Sequence, residues 1–454
     1  VAAQNEQLVV TTTTHSGGGL KVSGGIDALG SAFEGYRKQQ VRNDHGSQAQ
    51  GSSLTSSNNL KIDTGHLVTE AATIKAGQGL TITADTIENR AQADIKRTTL
   101  ADNNWEANLG ASLVYRDISR PIERMVTGEE ASRFQQASVE DSLAPPTVGA
   151  DLGVKHLNRK EINSTSTAQV SQLTGGSVNI KARTLDDTGT QYRADTGALV
   201  IEAQSHHLAA AQDSTSHSLD RLDVDTGVRV ETSTGSDLNL RLAGKGGRLQ
   251  TDEHTQTARA GSLYGQTGIQ VQLGSDGAYE GTRLNAGDGS LRIEAAGDLR
   301  LTQAQDQQRQ QSNELKGDAW AKGGNSPAGT GLEFRGYLDQ KKSERVDTQA
   351  RVAQIDAKGD VLLKSGGTLE LVGTGIGSTG NKVANVTLEA DGPVQVKAAT
   401  DTRRAQGSSL GGGLELAGKT SADGKGGGLG GHFGSGRIDE TSSTATGAQW
   451  FASD

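Results

Sequence analysis

A glycine-bounded run of alternating aliphatic and polar residues, closed by an Ala-x-Asp step and followed by a glycine-rich excursion, returns along this chain at a nearly fixed period. Leu208, Leu301 and Val396 are each followed three residues on by alanine (Ala211, Ala304, Ala399), five on by aspartate (Asp213, Asp306, Asp401) and fourteen on by leucine (Leu222, Leu315, Leu410). The copies lie 93 and 95 residues apart. A unit that recurs in this way buries its apolar face by stacking on its neighbours. The repeat therefore predicts an elongated rod rather than a globule built around a pocket.

Composition narrows the choice. Of 454 residues, 33% are apolar and only 3% aromatic, while 62 are glycine, which is too little bulk for large globular cores and would suit a disordered chain if the aliphatic residues were scattered. They are ordered instead, in strict period-2 pairs: Leu60-x-Ile62, Leu80-x-Ile82, Val178-x-Ile180, Leu199-x-Ile201, Leu291-x-Ile293, Leu299-x-Leu301, Val361-x-Leu363, Leu369-x-Leu371, Val386-x-Leu388 and Val394-x-Val396. Turn residues such as Gly176-Ser177, Gly289-Ser290 and Gly359-Asp360 precede most of them.

Spacing selects the architecture. Cores start eight residues apart at Leu291 and Leu299, Val361 and Leu369, and Val386 and Val394, and about twenty apart at Leu60 and Leu80 or Val178 and Leu199. Eight residues cannot hold a helical crossover, and no Asn-Gly type hairpin turn lies between these cores. A chain that turns a corner every eight or so residues and closes a circuit in about twenty is a parallel β-helix, with inward aliphatics stacked from rung to rung. With about two thirds of the chain in such coils, roughly fifteen rungs at ~4.8 Å predict a rod on the order of 70 Å long. The expected core includes Leu80, Ile82, Val178, Ile180, Leu291, Ile293, Leu299, Leu301, Leu369 and Leu371.

Between the coils lie excursions, at about 17–50, 102–160, 219–247, 313–342 and 409–438. Leu222, Val224, Val228 and Val230 alternate with charged residues, and a Thr-Gly-Ser-Asp turn leads into Leu238, Leu240 and Leu242, which reads as a β-hairpin. Each excursion is expected to stand off the rod as a two-stranded ribbon, stabilised by the rod or by neighbouring ribbons because a ribbon alone is marginal. The second excursion carries extra residues at 116–147, where Thr127 and Glu130 suit a capping box, a helix is expected from Gly128 to about Glu140, and Pro145-Pro146 end it. Loop tips tolerate such insertions; the sharper alternative is a docking element.

The coils with glycine turns, for example Gly289-Ser290-Leu291-Arg292-Ile293-Glu294-Ala295-Ala296-Gly297-Asp298-Leu299-Arg300-Leu301, together with the interleaved excursions, resemble haemagglutinin repeats. These belong to the large exoproteins of Gram-negative two-partner (type Vb) secretion, namely filamentous haemagglutinin and the contact-dependent growth inhibition effectors. The resemblance covers essentially the whole chain. It implies a right-handed parallel β-helix with protruding antiparallel β-hairpins, the handedness resting on the resemblance alone. It also implies export through an outer-membrane transporter that engages other parts of the protein, and presentation outside the cell or on its surface. With no signal peptide, secretion-domain signature or toxin motif in view, the chain reads as an internal segment of a longer exoprotein. The absence of cysteine suits a chain threaded unfolded through an oxidising periplasm.

Catalytic chemistry finds little support, and a non-enzymatic role with no cofactor and no metal is expected. His206-His207 with His217 resembles a metal set, but neighbours on a strand point to opposite faces and no matched ligand completes it. Gly373-x-Gly375-x-Gly377 lacks the lysine and the helix of a phosphate loop. Asp223 with Asp225, read on a polar hairpin face, and Asp186 with Asp187, read at a turn, have no aromatic platform for sugar beside them. Lys316-Gly317-Asp318 and Lys358-Gly359-Asp360 are each read as repeat turns. No run approaches eighteen apolar residues, and a net charge of −9 argues against nucleic acid as a partner.

Two functions follow as expectations. In the first, the chain is a surface-exposed adhesive and presenting shaft that meets a host-cell receptor or glycan. In the second, it is a second haemagglutinin-repeat module that carries a C-terminal toxin across the outer membrane of a target bacterium. Membrane strands need about nine to eleven residues of alternation with aromatics at the ends. The run Trp105, Ala107, Leu109, Ala111, Leu113, Tyr115 meets that pattern, as would a soluble hairpin with one packed face. Trp105, Leu109, Leu113 and Tyr115, with Phe134 in the insertion, are the candidate membrane or partner contacts.

Overall fold

The computed structural model describes residues 3–24, 28–114, 147–232, 235–326, 329–421 and 424–453. They form an all-β chain of two parts, a parallel β-helix and a ten-stranded antiparallel sheet. The expected helix at 128–140 lies outside the described residues.

The β-helix arises where short aliphatic strands alternate with turns. One face is a nine-stranded parallel sheet that includes Thr73–Ala76, Gln191–Ala194, Ser262–Gly265 and Gln354–Asp356. The other two faces are the paired cores seen eight residues apart in the sequence. Leu291 stacks between Ile269 and Val361, and Leu299 between Gly277 and Leu369. In the early rungs these two faces run through a single strand, as in Ser177–Thr188, whose first half continues one column and whose second half the other. Leu80, Ile82, Val178, Ile180, Leu291, Ile293, Leu299, Leu301, Leu369 and Leu371 are all buried in one continuous core. Val394 and Val396 are exposed; among the described residues their strand pairs on one side only, with Leu369–Val372. Nine strands along one face, at about 4.8 Å each, give a rod of roughly 40 Å, shorter than the spacing predicts. The difference lies in the excursions, which take about half of the chain.

Five hairpins leave the same corner of the β-helix: Ala3–Gly24 with Ala28–Gln50, Gln92–Val114 with Thr147–Gln169, Ala211–Thr232 with Leu238–Arg259, Ala304–Ser326 with Gly329–Arg351, and Ala399–Ser421 with Gly424–Thr446. Each strand has 22 or 23 residues, about 75 Å at 3.4 Å per residue. They start nearer the rod than the alternation at 219–247, 313–342 and 409–438 marks. Rather than standing apart as ribbons, neighbouring hairpins pair edge to edge into one sheet.

The 93- and 95-residue period has a geometric cause. Between the second and fifth hairpins, each is separated from the next by two rungs. Two rungs advance the rod by two strand spacings, and a hairpin is two strand spacings wide, so successive hairpins meet at ladder distance without a gap. In the rung that carries no hairpin, the same corner is a tight turn at Ala71, Gly189, Gly281 and Gly373, with left-handed φ of 49°, 65°, 59° and 62°. A side chain at Gly281 would stand 2.9 Å from the Ala304 methyl group at the mouth of the next hairpin, so the turn needs glycine for space as well as for φ.

The aspartate of the repeated Ala-x-Asp step, joined by Asp94 in Gln92-Ala93-Asp94, closes the joints between hairpins. Each inter-hairpin ladder ends one residue after the aspartate, at Ile95, Ser214, Gln307 and Thr402. There the carboxylates of Asp94, Asp213, Asp306 and Asp401 accept a bond from the backbone N–H of Ala49, Ala168, Ala258 and Ala350 on the preceding hairpin, at 2.7, 2.7, 2.8 and 2.6 Å. A side chain thus supplies the acceptor just where the backbone ladder runs out.

Candidate functional site on the antiparallel sheet

The interior of the β-helix holds a polar cluster that the sequence reading missed. Asp187 lies within the strand Ser177–Thr188, not at a turn, and faces inward. Its carboxylate accepts bonds from Tyr192 Oη at 3.0 Å and Asn89 Nδ2 at 2.6 Å, and pairs with His206 Nε2 at 2.9 Å. His206 Nδ1 meets Tyr279 Oη at 3.1 Å. Burial, and then the nearby Asp187 charge, raise both phenol pKa values, so the hydroxyls stay protonated. All five groups are shut off from solvent, which leaves the cluster a structural role. His207, the next residue, points outward to Asp186 at 3.2 Å. Among the described residues no group of three or more His, Asp or Glu is placed to hold a metal ion. Lys316-Gly317-Asp318 lies inside a hairpin strand rather than at a turn.

The sheet carries the surface that stands out. Directly opposed residues of antiparallel strands share a face, so the pairing can be followed from strand to strand across all ten. One row reads Leu20, Phe33, Leu109, Leu152, Val228, Leu242, Ala321, Phe334, Leu416, Leu429. Every member is apolar, and most are exposed, from 37% at Val228 to 73% at Leu429. The row two residues nearer the tips runs from Val22 through Ala111, Ala150, Val230, Leu240 and Leu332 to Gly427. The row two residues nearer the rod runs from Gly18 through Ala107, Val154, Thr226 and Leu414 to Gly431. None of these three rows contains a charged residue.

Towards the rod the band ends in the row of Arg37, Trp105, His156, Leu338 and Phe433, where the Trp105 and His156 rings stack at 4.0 Å. Beyond that, the same face becomes polar, with the Arg248–Asp220 ion pair at 2.7 Å. At 3.4 Å per residue, the distance from the Trp105 row to the tips is about 27 Å. Ten strands at ~4.8 Å make the charge-free area on the order of 1,000 Å², beyond the patches of a few hundred Å² that ordinary monomers expose.

The opposite face at the same height is charged. One row across it places Glu106, Lys155, Asp225, Lys245 and Asp318 on consecutive strands, alternating in sign. Both lysines approach Asp225, at 3.9 and 3.7 Å. Arg229 bonds Glu231 at 2.6 Å and Asp151 at 2.9 Å; burial opposes its charge, but these bonds outweigh burial and raise its pKa. Arg335 pairs with Glu415 at 3.0 Å and lies over the Trp320 ring. The sheet is therefore two-sided in its distal third, apolar on one side and ion-paired on the other.

Of the sequence-derived contacts, Trp105, Leu109 and Leu113 share the apolar face, Trp105 at its rim, Leu109 in its middle and Leu113 near the tips. Tyr115 and Phe134 lie outside the described residues. The remaining strands of the band were legible only in part, because glycine and alanine fill many positions and dilute the alternation within any one hairpin.

Comparison with known proteins agrees with this architecture. The hemagglutinin-repeat family model matches residues 152–317 and 335–452. A protein named hemolysin from Serratia marcescens is 33% identical over 99% of this chain, and one of the same name from Proteus mirabilis is 25% identical over 91%. The chain spans 28% and 27% of their lengths. Among solved structures, Pseudomonas aeruginosa OccK2 aligns at 7% identity over 97% of this chain and 98% of its own, with a TM-score of 0.09, too low to indicate a shared fold. With more than half of its length matched and its coils and hairpins in register, the chain belongs to the hemagglutinin-repeat family.

Proposed function

We propose that this segment is the membrane-engaging part of a secreted, non-enzymatic exoprotein, in which the β-helix is the presenting shaft and the antiparallel sheet lays its apolar face against lipid hydrocarbon. The observation that carries the reading is the set of three charge-free rows running unbroken across ten strands, backed by an ion-paired face. Apolar on one side and polar on the other, at a height close to the ~25 Å band of membrane strands and with aromatic residues at one rim, is the pattern lipid selects. A host receptor or glycan would be met through polar groups able to hydrogen-bond it, and the central row of the band has none. The relatives' name points the same way, towards lysis of a host cell rather than delivery of a toxin into a bacterium. In this reading the protein leaves a Gram-negative cell through an outer-membrane transporter that engages parts of the protein beyond this segment, and acts extracellularly.

The test is flotation with phosphatidylcholine vesicles followed by washing in high salt and carbonate. The native chain is expected to rise with the lipid and resist both washes. A variant with Leu109→Asp, Leu152→Asp and Val228→Asp, three neighbours in the central row, is expected to keep its circular dichroism and its unfolding midpoint yet stay in the soluble fraction. Native protein that remains soluble, or a folded triple variant that floats as well as the native chain, refutes the proposal.

A further inference from the structure

The apolar band has a basic border on its own face. The rows that follow it towards the rod, through Trp105, Asn103 and Ala101, place Arg37, Arg248, Lys160, Lys342 and Arg437 on that face, against one acid, Asp220. All five basic side chains are exposed, in a chain whose net charge is −9. The other face offers the comparison. At the same height its rows through Glu106, Asn104 and Asp102 hold as many carboxylates as basic groups. Several of these pair across the strands, as Lys38 does with Glu106 at 3.4 Å.

The border is only partly neutralised from within. Arg248 is held by Asp220 at 2.7 Å, and Arg437 lies 3.9 Å from Asp439 in the row beyond. Among the described residues Arg37 and Lys342 pair with no carboxylate, and Lys160 stands opposite Asp220 without closing on it. The other acids of this face begin one row further out, with Asp252, Glu344 and Asp439.

Positive charge that starts where apolar rows stop matches the margin of a bilayer. The hydrocarbon, about 30 Å thick, gives way on each side to a headgroup layer several ångströms deep. Lysine and arginine keep their stems in apolar surroundings and carry their charge out to that level. Rows on one face are about 6.8 Å apart, so the Trp105 row falls at the margin and the next two lie within reach of the headgroups. A second copy laid on the band with tips level would instead set the two basic borders against each other.

We propose that this border binds the phosphates of anionic phospholipids around the band, with Arg37, Lys160 and Lys342 as its principal contacts. The proposal rests on the membrane reading above and adds the headgroup class to it.

The test compares affinity for vesicles of phosphatidylcholine alone with affinity for vesicles that also contain phosphatidylglycerol. The native chain is expected to bind the second more tightly. A basic residue near an anionic surface is worth about fivefold in binding, so Arg37→Gln with Lys160→Gln and Lys342→Gln is expected to weaken binding to the anionic vesicles on the order of a hundredfold. The same loss of charge on the other face, Lys38→Gln with Lys155→Gln and Lys316→Gln, is expected to cost about twofold or less, because those side chains face away from the lipid. All six positions are exposed, and both variants are expected to keep the native circular dichroism. Native protein that binds the two vesicles equally overturns the phosphate contact and leaves the membrane reading standing. Equal losses in the two triple variants overturn it as well, since net charge would then account for the effect. Protein that binds neither vesicle overturns both readings. The chain has no cysteine, so a fluorophore can be placed at Leu109→Cys alone. A label there that is already shielded in a lipid-free dimer, and unchanged by either vesicle, overturns the proposal in favour of a second copy on the band.

Discussion

Ile293 in the β-helix and Phe33 in the sheet each belong to an apolar row that crosses strand after strand, yet Ile293 is fully buried and Phe33 is 67% exposed. The rung coils round, so its inward residues meet residues from two other faces and a closed core forms. The hairpin lies flat, so its row meets only neighbours in the same plane. Alternation alone thus fixes that a strand is two-sided, and the path of the chain decides whether the apolar side is covered. The β-helix gains its stability from burial; the sheet has ladder bonds and ion pairs, and leaves its apolar face uncovered.

The largest effect should come from placing a charge in the covered row. Ile293→Asp is expected to destabilise the β-helix by roughly 3–5 kcal/mol, because an unpaired carboxylate in a stacked aliphatic column has no partner. Chemical denaturation followed by circular dichroism measures this, and a loss under ~1 kcal/mol would mean the column is not the stabilising core. The same kind of change at Leu109, on the uncovered row, is expected to leave stability within about 0.5 kcal/mol, as surface changes do.

A smaller effect is expected at the joint between the two parts. Asp306→Ala removes the acceptor of the Ala258 N–H and the partner of Arg351 at 2.6 Å. The bond is charge-assisted but partly exposed, so the cost should be about 1–2 kcal/mol, local to the mouth of the hairpin. Amide exchange at Ala258 is expected to speed up while amides of the Ile293 rung keep their rates. Equal protection in native and variant chains would remove the aspartate from its stitching role.

The smallest effect concerns pH. A bond from the Thr368 N–H at 2.8 Å, and then Arg300 at 2.7 Å, hold the Asp298 carboxyl below its ordinary value. A depressed folded-state pKa means the contribution is fully present above the unfolded value of about 4 and is lost as pH falls through the folded one. Unfolding midpoints compared at pH 6 and pH 3 should therefore fall less for Asp298→Asn than for the native chain. Identical acid dependence in the two would count against this turn as a contributor.

The coils were legible because a buried column leaves an aliphatic at every second position, as in Leu291-x-Ile293, and a glycine at each corner. The hairpin tips were legible where Val228 and Val230 alternate with Arg229 and Glu231. The stems were not. Gln307 to Glu314 reads Gln-Gln-Arg-Gln-Gln-Ser-Asn-Glu, polar on both faces, and its strand state comes from pairing with neighbours on either side. That hidden length is why the rod came out shorter than its spacing predicts. Asp187 was misread for a related reason: a carboxylate in a strand carries no sign that Asn89 and His206, on strands before and after its own, converge on it together with Tyr192. The uncovered rows emerge only when registers from five hairpins are laid side by side.

The match between two rungs and one hairpin also bears on how such a chain can lengthen. A duplication that copies two coils with their hairpin adds a unit to both the rod and the sheet and keeps every ladder in step. One that copies a single coil, or a hairpin without its coils, would leave a gap or a collision in the sheet. Growth and loss of sequence are thereby restricted to whole units of about ninety-four residues, so relatives of this chain should differ in length by multiples of that unit, with insertions such as the one after Val114 confined to the tips.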